Sequence, residues 1–453
     1  MTLFILNLLP FALSFFLGIF FITLLDNEKK ISSSLKILLS AGLGLGLSSY
    51  ITFLSFLLFN EFNRLFILTI HLILLIFFIK NSAISNIKIF GIKEMIKKLN
   101  IKHLILFFIF IVFLIPTIYT ISLYPNGGWD AWAVWNFKAR TLFLGQNDWT
   151  NIFHPTLWRS SPHYPLFLPL LNVWGWIFST TPTQNIPILV SILFTTLTLG
   201  LLFYSLRNRT PLFFNILLLL ALSSSSLFYK FASSQYADIV IGFYLLASFY
   251  CLIQAKMKDN KTFALLSGIF LSILSFTKNE GLMASVIIGS LAIPYLLKQR
   301  SLNKKKILLS FFVGVFISCI PFIIFQFFYA PQNLTFINGF ESLTKPSDFS
   351  RLKAIFMFYF FQLKTFSWNG FWIILLVGLI LGKKKMFNAQ TIIIPLFLIL
   401  YGGILTLYYF LNTYFDILWW LSQTFHRIVF SLLPIIFYWL GTSLFWNKSQ
   451  KEK

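Results

Sequence analysis

Acidic residues are scarce in this chain: 13 Asp and Glu among 453 residues, set against 36 Lys and Arg, with 11% of positions charged. Water-soluble domains carry roughly a quarter charged residues, so this composition excludes a soluble core of comparable size. Cysteine is nearly missing as well. Cys251 and Cys319 lie inside apolar segments, without the spacing of a metal or redox site. Neither GxxxxGK[ST] nor HExxH occurs, which argues against ATP-driven transport or zinc-protease chemistry within this chain. The apolar run from Leu3 to Leu25 has no basic region before it and does not read as a cleavable signal.

What the chain has is apolar surface: 58% of residues are hydrophobic and 19% aromatic. Apolar runs fall at about 3–25, 37–59, 65–79, 104–122, 184–206, 211–229, 239–255, 262–276, 282–297, 307–328, 368–382, 391–411 and 428–446. A crossing of about 30 Å of hydrocarbon needs about 20 residues in a helix. The fold class expected is therefore an all-α polytopic membrane protein, a bundle of about 13 transmembrane helices. The glycines of AGLGLGLSSY, Gly42 to Gly46, sit inside one of these runs and predict close helix packing.

The net charge of +23 is not spread as a nucleic-acid footprint. It collects in short loops: Lys29 and Lys30, Lys80 through Lys102, Arg207 and Arg209, Lys256 to Lys261, Lys298 to Lys306, Lys383 to Lys385, and a tail with Lys448, Lys451 and Lys453. One alternating path puts every cluster on the cytoplasmic side, as the positive-inside rule requires, with membrane lipids and no nucleic acid as the surroundings. The path holds only if Pro165 to Thr180 does not cross. That segment carries Pro165, Pro169, Trp174 and Trp176, and predicts an external juxtamembrane helix lying in the interface. Ala354 to Phe366 reads as a second such helix. The organisation expected is an N-terminal accessory part, 1–103, a core at 104–300 with an external loop at 123–183, and a C-terminal part, 301–453, with external loops at 329–367 and 412–427.

With that path drawn, charged residues from distant segments gather at one face. Asp130 lies in YPNGGWDAWAVWNFKAR, with Trp129, Lys138, Arg140, Arg159 and His163 nearby. Asp238 lies in SSQYADIV, Lys278 and Glu280 in FTKNEG, and Asp416, His426 and Arg427 in YFDILWWLSQTFHR. Charges at membrane depth are costly and are either paired or functional. A partly desolvated carboxylate such as Asp130 suits a general base, and cations such as Lys278 and Arg427 suit a phosphate leaving group. Indole and phenol faces suit the apolar faces of sugars. For each tryptophan alone, an interfacial aromatic belt is the plainer explanation.

These motifs resemble the GT-C superfamily of integral-membrane glycosyltransferases, which includes the protein mannosyltransferase and aminoarabinose transferase groups. GGWDAW, then NFKAR, then HYPLFLPLL is similar to bacterial members, and Asp130 matches the family's catalytic acid in the first large external loop. Asp238 matches the acid after the next external turn, Lys278 to Gly281 the Lys-x-Glu-Gly element, and Trp420, Arg427 and Pro434 a late W…R…P arrangement. The resemblance covers about residue 104 to the end; three crossings precede that part, whereas in many members the catalytic acid follows the first crossing.

The resemblance implies an inverting glycosyltransferase at the external face of a bacterial inner membrane. It would move a sugar from a polyprenyl-phosphate donor to a lipid, glycan or protein acceptor. Asp130 would be the base. Lys278 and Arg427, with Arg140, His163 and His426, would bind the donor phosphate, while Asp238, Glu280 and Trp129 complete the substrate site. No Asp-x-Asp pair occurs in the loop, so no metal ligand is assigned and no cofactor is certain; a single carboxylate fits chemistry with or without a divalent ion. Two other readings remain, a flippase for lipid-linked saccharides and a non-catalytic envelope-assembly protein.

Overall fold

The computed structural model describes residues 2–26, 29–81, 101–207, 209–298, 301–340, 349–364, 368 and 370–445. Most of the basic stretch from Lys80 to Lys102, together with Arg300 and the tail lysines, lies outside the described residues. Among the described residues the chain is all helical, with no strand.

The N-terminal helices are α1 (Thr2–Leu25), α2 (Ser33–Phe59) and α3 (Arg64–Asn81). Then come α4 (Ile101–Leu123), the short α5 (Asn136–Leu144) and α6 (Phe167–Gly175), and α7 (Asn185–Leu206). A bent pair follows, α8 (Leu212–Ser223) and α9 (Ser226–Ser233), then α10 (Ala237–Met257), α11 (Lys261–Ser275), α12 (Asn279–Leu297) and α13 (Lys304–Phe328). The chain closes with α14 (Leu334–Phe340), α15 (Phe349–Lys364), α16 (Phe371–Gly382), α17 (Ile393–Leu411) and α18 (Ile417–Leu444).

Nine of these are long and apolar enough to cross a membrane: α1, α2, α3, α7, α10, α12, α13, α17 and α18. The protein is therefore a multi-pass helical membrane protein. The expected count of thirteen is not reached by length and composition. The run at 211–229 is a helix pair bent by 64°, and the runs at 104–122, 262–276 and 368–382 appear as shorter apolar helices. The 12 residues of α16 reach only about 18 Å at 1.5 Å per residue.

α10 lies at the centre, with its whole apolar window buried. A helix that is apolar all round has no preferred outward face, so it ends up surrounded, here by α7, α11 and α18. By contrast only 22% of the α13 window is buried, and Phe316, Ile317 and Phe327 point outward. Small residues let backbones meet. A Cβ at Gly18 or Gly44 would overlap the facing backbone of α2 or α1, and Gly268 and Gly314 stand in the same relation between α11 and α13.

Two expectations are corrected at the loops. α6 is too short to cross, but it does not lie in an interface: every residue of it is buried. Its Trp174 donates through Nε1 to Ser14 Oγ at 2.9 Å and stacks on His71 at 4.0 Å. Trp176 donates to the Thr183 carbonyl at 3.0 Å. These indoles satisfy their N–H groups inside the protein, so the headgroup level offers them nothing further. The second correction is at 412–427, where most of the expected external loop is helix. Asp416 caps α18, its carboxylate accepting from Trp419 N at 2.8 Å, so His426 and Arg427 stand on a helix. α15 keeps an outward apolar face, with Phe356, Met357, Phe360 and Phe361 all exposed.

Candidate functional site

The site begins with the backbone of NGGWD. Gly127 turns with φ +76°, in the left-handed region that other residues rarely enter, and its N–H closes a turn onto Tyr124 O at 2.9 Å. Gly128 donates to Ser234 O at 3.1 Å, and a side chain at Gly128 would collide with the Tyr236 hydroxyl. The two glycines thus seat the loop on the end of α9. Asp130 then opens a π-helical turn, Ala131–Trp135, that runs on into α5. Turns of that kind recur at functional sites because the wider ring re-aims the side chains flanking it.

Three further elements bring charge to Asp130. Asp238 stands in the first turn of α10, Lys278 occupies the position just before α12 and Glu280 lies in the first turn of α12, where a helix N-terminus favours acid. Arg427 comes from α18. On that helix Trp420, Arg427 and Pro434 are seven residues apart, close to two turns, so they share the face turned toward the site and α10. Arg427 Nε lies 3.0 Å from Asp238 Oδ2, and its Nη2 lies 2.8 Å from Asp130 Oδ2. Lys278 Nζ lies 3.2 Å from Asp238 Oδ1 and 2.8 Å from Glu280 Oε1. Asp238 is the hub, its side chain 2% exposed, whereas Asp130 and Glu280 are each 21% exposed.

Three carboxylates against two cations leave this network one negative charge. Burial alone would pull the Lys278 ammonium down, but Asp238 and Glu280 outweigh it and hold it well above the usual lysine range. The Arg427 Nη2 approach to Asp130 is close but off the hydrogen-bond axis, which leaves that donor unused; Glu280 Oε2 is likewise a buried acceptor without a partner.

Asp130, Glu280 and Arg427 line a cavity of about 1480 Å³. Trp129, His163 and His426 line it too, and so do Trp158, Tyr408, Trp419 and Trp420. Lys278 and Asp238 do not reach its surface; they sit behind it and hold Arg427 and Glu280. Arg140 does not join them. It lines a separate cavity of about 590 Å³ with Trp132, Gln184 and Gln235, on the other side of the Tyr124–Gly127 turn. Asp416, as a helix cap, is outside the network. Among the described residues no three His, Cys, Asp or Glu side chains converge as a metal-holding group.

His163 lines the cavity as a neutral ring, because burial and the charge of Lys138 pull its pKa down to about 4. Lys138 is fully buried and forms no ion pair among the described residues. It donates to Ser161 O at 2.7 Å and Tyr164 O at 3.2 Å, and burial pulls it down to about 7. It pins the loop wall that carries Trp158, Arg159 and His163.

Sequence reasoning missed three participants. Tyr164 has the Lys138 and Lys278 ammonium groups each 5.9 Å from its ring centre, and Tyr236 lies 4.4 Å from the Arg427 guanidinium. Both lie inside quoted motifs, Tyr164 in HYPLFLPLL and Tyr236 in SSQYADIV. Lys230 lines the cavity from α9; the signal was the serine run Ser223 to Ser226, where the helix breaks. The loop is also tied to the N-terminal helices. Trp149 Nε1 donates to Asn60 Oδ1 at 2.8 Å, and Ser49 Oγ donates to Phe167 O at 3.1 Å. No protein-family model matches the chain, and neither a curated protein nor a solved structure matches it.

Proposed function

We propose that the protein is an inverting glycosyltransferase of GT-C type, moving a sugar from a polyprenyl-phosphate carrier to an acceptor at the external face of a bacterial plasma membrane. The observation that carries this reading is the meeting of Asp130 with Arg427 at 2.8 Å on the wall of a large aromatic-lined cavity. A carboxylate that is partly exposed and held by a cation on one oxygen is placed to receive a proton from an acceptor hydroxyl. The acceptor oxygen would bond to the anomeric carbon as the carbon–phosphate-oxygen bond breaks. The proton goes to Asp130 and the electron pair leaves with the phosphate. One displacement inverts the configuration.

Asp238 and Lys278 act from behind as positioning residues, fixing Arg427 and Glu280. The unused Glu280 oxygen suits a sugar hydroxyl, and the Trp129 and Trp420 rings suit sugar faces. Sidedness follows from charge. Thr262 reaches Leu25 O, Asn303 reaches Asp259, and Lys256 reaches Ala389 O, so the basic loops come together away from the Asp130 network. With the bent pair and three short helices counted as crossings, thirteen passes keep those loops cytoplasmic and the cavity external.

The test is transfer of radiolabelled sugar from a panel of polyprenyl-phosphate sugars in reconstituted vesicles, wild type beside Asp130→Asn. Transfer by wild type, reduced about 10²- to 10⁴-fold in the variant, is the expected result. Undiminished transfer by Asp130→Asn would remove the base. Carrier movement across the bilayer without transfer would favour a flippase instead.

A further inference from the structure

The cations that sequence pointed to are not free to hold a phosphate. Lys278 is committed to Asp238 and Glu280, Arg427 to Asp238 and Asp130, Arg140 faces another cavity, and His163 is neutral. A network carrying one net negative charge repels an anion. A lipid-linked phosphate needs positive charge that is not already compensated, on the same cavity and near apolar walls.

Lys230 meets those conditions. It is exposed to the cavity and forms no ion pair among the described residues. It stands on α9, the second half of a candidate span broken by 64° at Ser224 and Ser225. At the break Ser224 N–H still reaches Leu220 O at 2.9 Å and Ser225 N–H reaches Leu222 O at 3.4 Å; non-helical backbone at membrane depth is tolerated where the chain lines a polar cavity. A lysine within a span is costly unless it faces such a cavity and serves it. Leu227 and Phe231 flank Lys230 on the cavity wall. Opposite, on α18, His426 lines the same cavity, stacked on Trp368 at 5.3 Å, and is near enough for the Lys230 charge to act on it. Arg159 is a second cavity cation that forms no ion pair among the described residues. It rides on the Pro155–Ser160 turn of the loop rather than on a span.

We propose that Lys230 and His426 form the subsite for the phosphate of the isoprenoid carrier, with its chain leaving along Leu227 and its sugar directed to Asp130 and Glu280. This inference rests on the glycosyl-transfer reading above. It separates the site into an anion-binding half on α9 and α18 and a proton-accepting half on the loop.

The experiment uses the full chain in nanodiscs of zwitterionic lipid, with polyprenyl monophosphate and the uncharged polyprenol of equal length as probes. Wild type should prefer the phosphate, and Lys230→Gln should lower that preference about tenfold, the scale of one charge-assisted contact. Lys230→Arg should restore it, His426→Asn should lower it less, and Arg159→Gln should leave it unchanged. Among the described residues the Lys230 side chain makes no hydrogen bond, so Lys230→Gln should melt like wild type. An unchanged preference in Lys230→Gln overturns the proposal. So does loss of it in Arg159→Gln alone, or mole-for-mole displacement by phosphatidylglycerol, which would mark a general anionic-lipid site. Sugar transfer that survives Lys230→Gln at full rate sinks this subsite and leaves the enzyme standing. A Lys230-dependent preference with no transfer from any donor supports the subsite and sinks the enzyme.

Discussion

The two ends of the bundle handle charge in opposite ways. At the cavity end, five charged side chains from the loop, α10, α12 and α18 compensate one another within 3.2 Å contacts. At the basic end, positive charge outnumbers negative and is dispersed onto rings and carbonyls: Lys256 lies 3.7 Å from the Tyr295 ring centre and donates to Ala389 O at 3.3 Å. Asp26 is the buried acid there, holding Lys36 at 3.3 Å and accepting from the Lys30 and Ile31 backbone. Buried compensated charge holds a fixed geometry, whereas exposed uncompensated charge interacts with a surface and tolerates change. The first arrangement suits chemistry, the second orientation in a bilayer.

Neutralising the hub should break this contrast most sharply. Asp238→Asn leaves Lys278 and Arg427 underpaired in a buried setting, with an expected loss of about 3–5 kcal/mol of stability. Thermal melting in detergent measures it; a loss no larger than that for an exposed basic-end residue would refute the contrast.

Next in size is a pH effect on the loop wall. Lys138 falls from 10.5 to about 7 in the folded state, and His163 from 6.5 to about 4. Both pKa values are depressed, so the opened loop binds more protons. The Lys138 contribution to closure declines as pH falls from about 10.5 to 7, and the His163 contribution as pH falls from 6.5 through 4. Amide exchange over residues 155–164 should accelerate several-fold between pH 9 and pH 5, beyond the intrinsic exchange trend, with the α10 core as reference. Equal behaviour of loop and core would mean that Lys138 does not latch the wall.

The smallest effect should come from the basic end. Exchanging Lys304, Lys305 and Lys306 for Gln should leave melting and transfer unchanged while weakening retention on anionic vesicles. A melting shift comparable to that of Asp238→Asn would show that both ends depend on their charges alike.

Much of this was legible in the chain. Hydropathy located the apolar helices, because a span must be apolar over a length that composition reveals directly. It did not reveal the break at Ser224 and Ser225, since an apolar run reads the same whether the helix continues or bends. Asp130, Asp238, Lys278, Glu280 and Arg427 could be assigned to one face, but not paired. Arg140 was grouped with them by proximity in sequence. Two residues along α5 is about 200° around the axis, which sends Lys138 inward and Arg140 to the other cavity. The habit of indoles assigns Trp174 and Trp176 to an interface; Ser14 of α1 takes Trp174 inside, and the Thr183 carbonyl takes Trp176.

By itself the sequence determined the class of protein and where its apolar helices and basic loops fall, because these follow from composition and local spacing. Tertiary structure alone decided which charges pair and which face a cavity. The reason is physical: an ion pair between residues 130 and 427, or a cavity walled by six helices and a loop, depends on distances that no local pattern encodes.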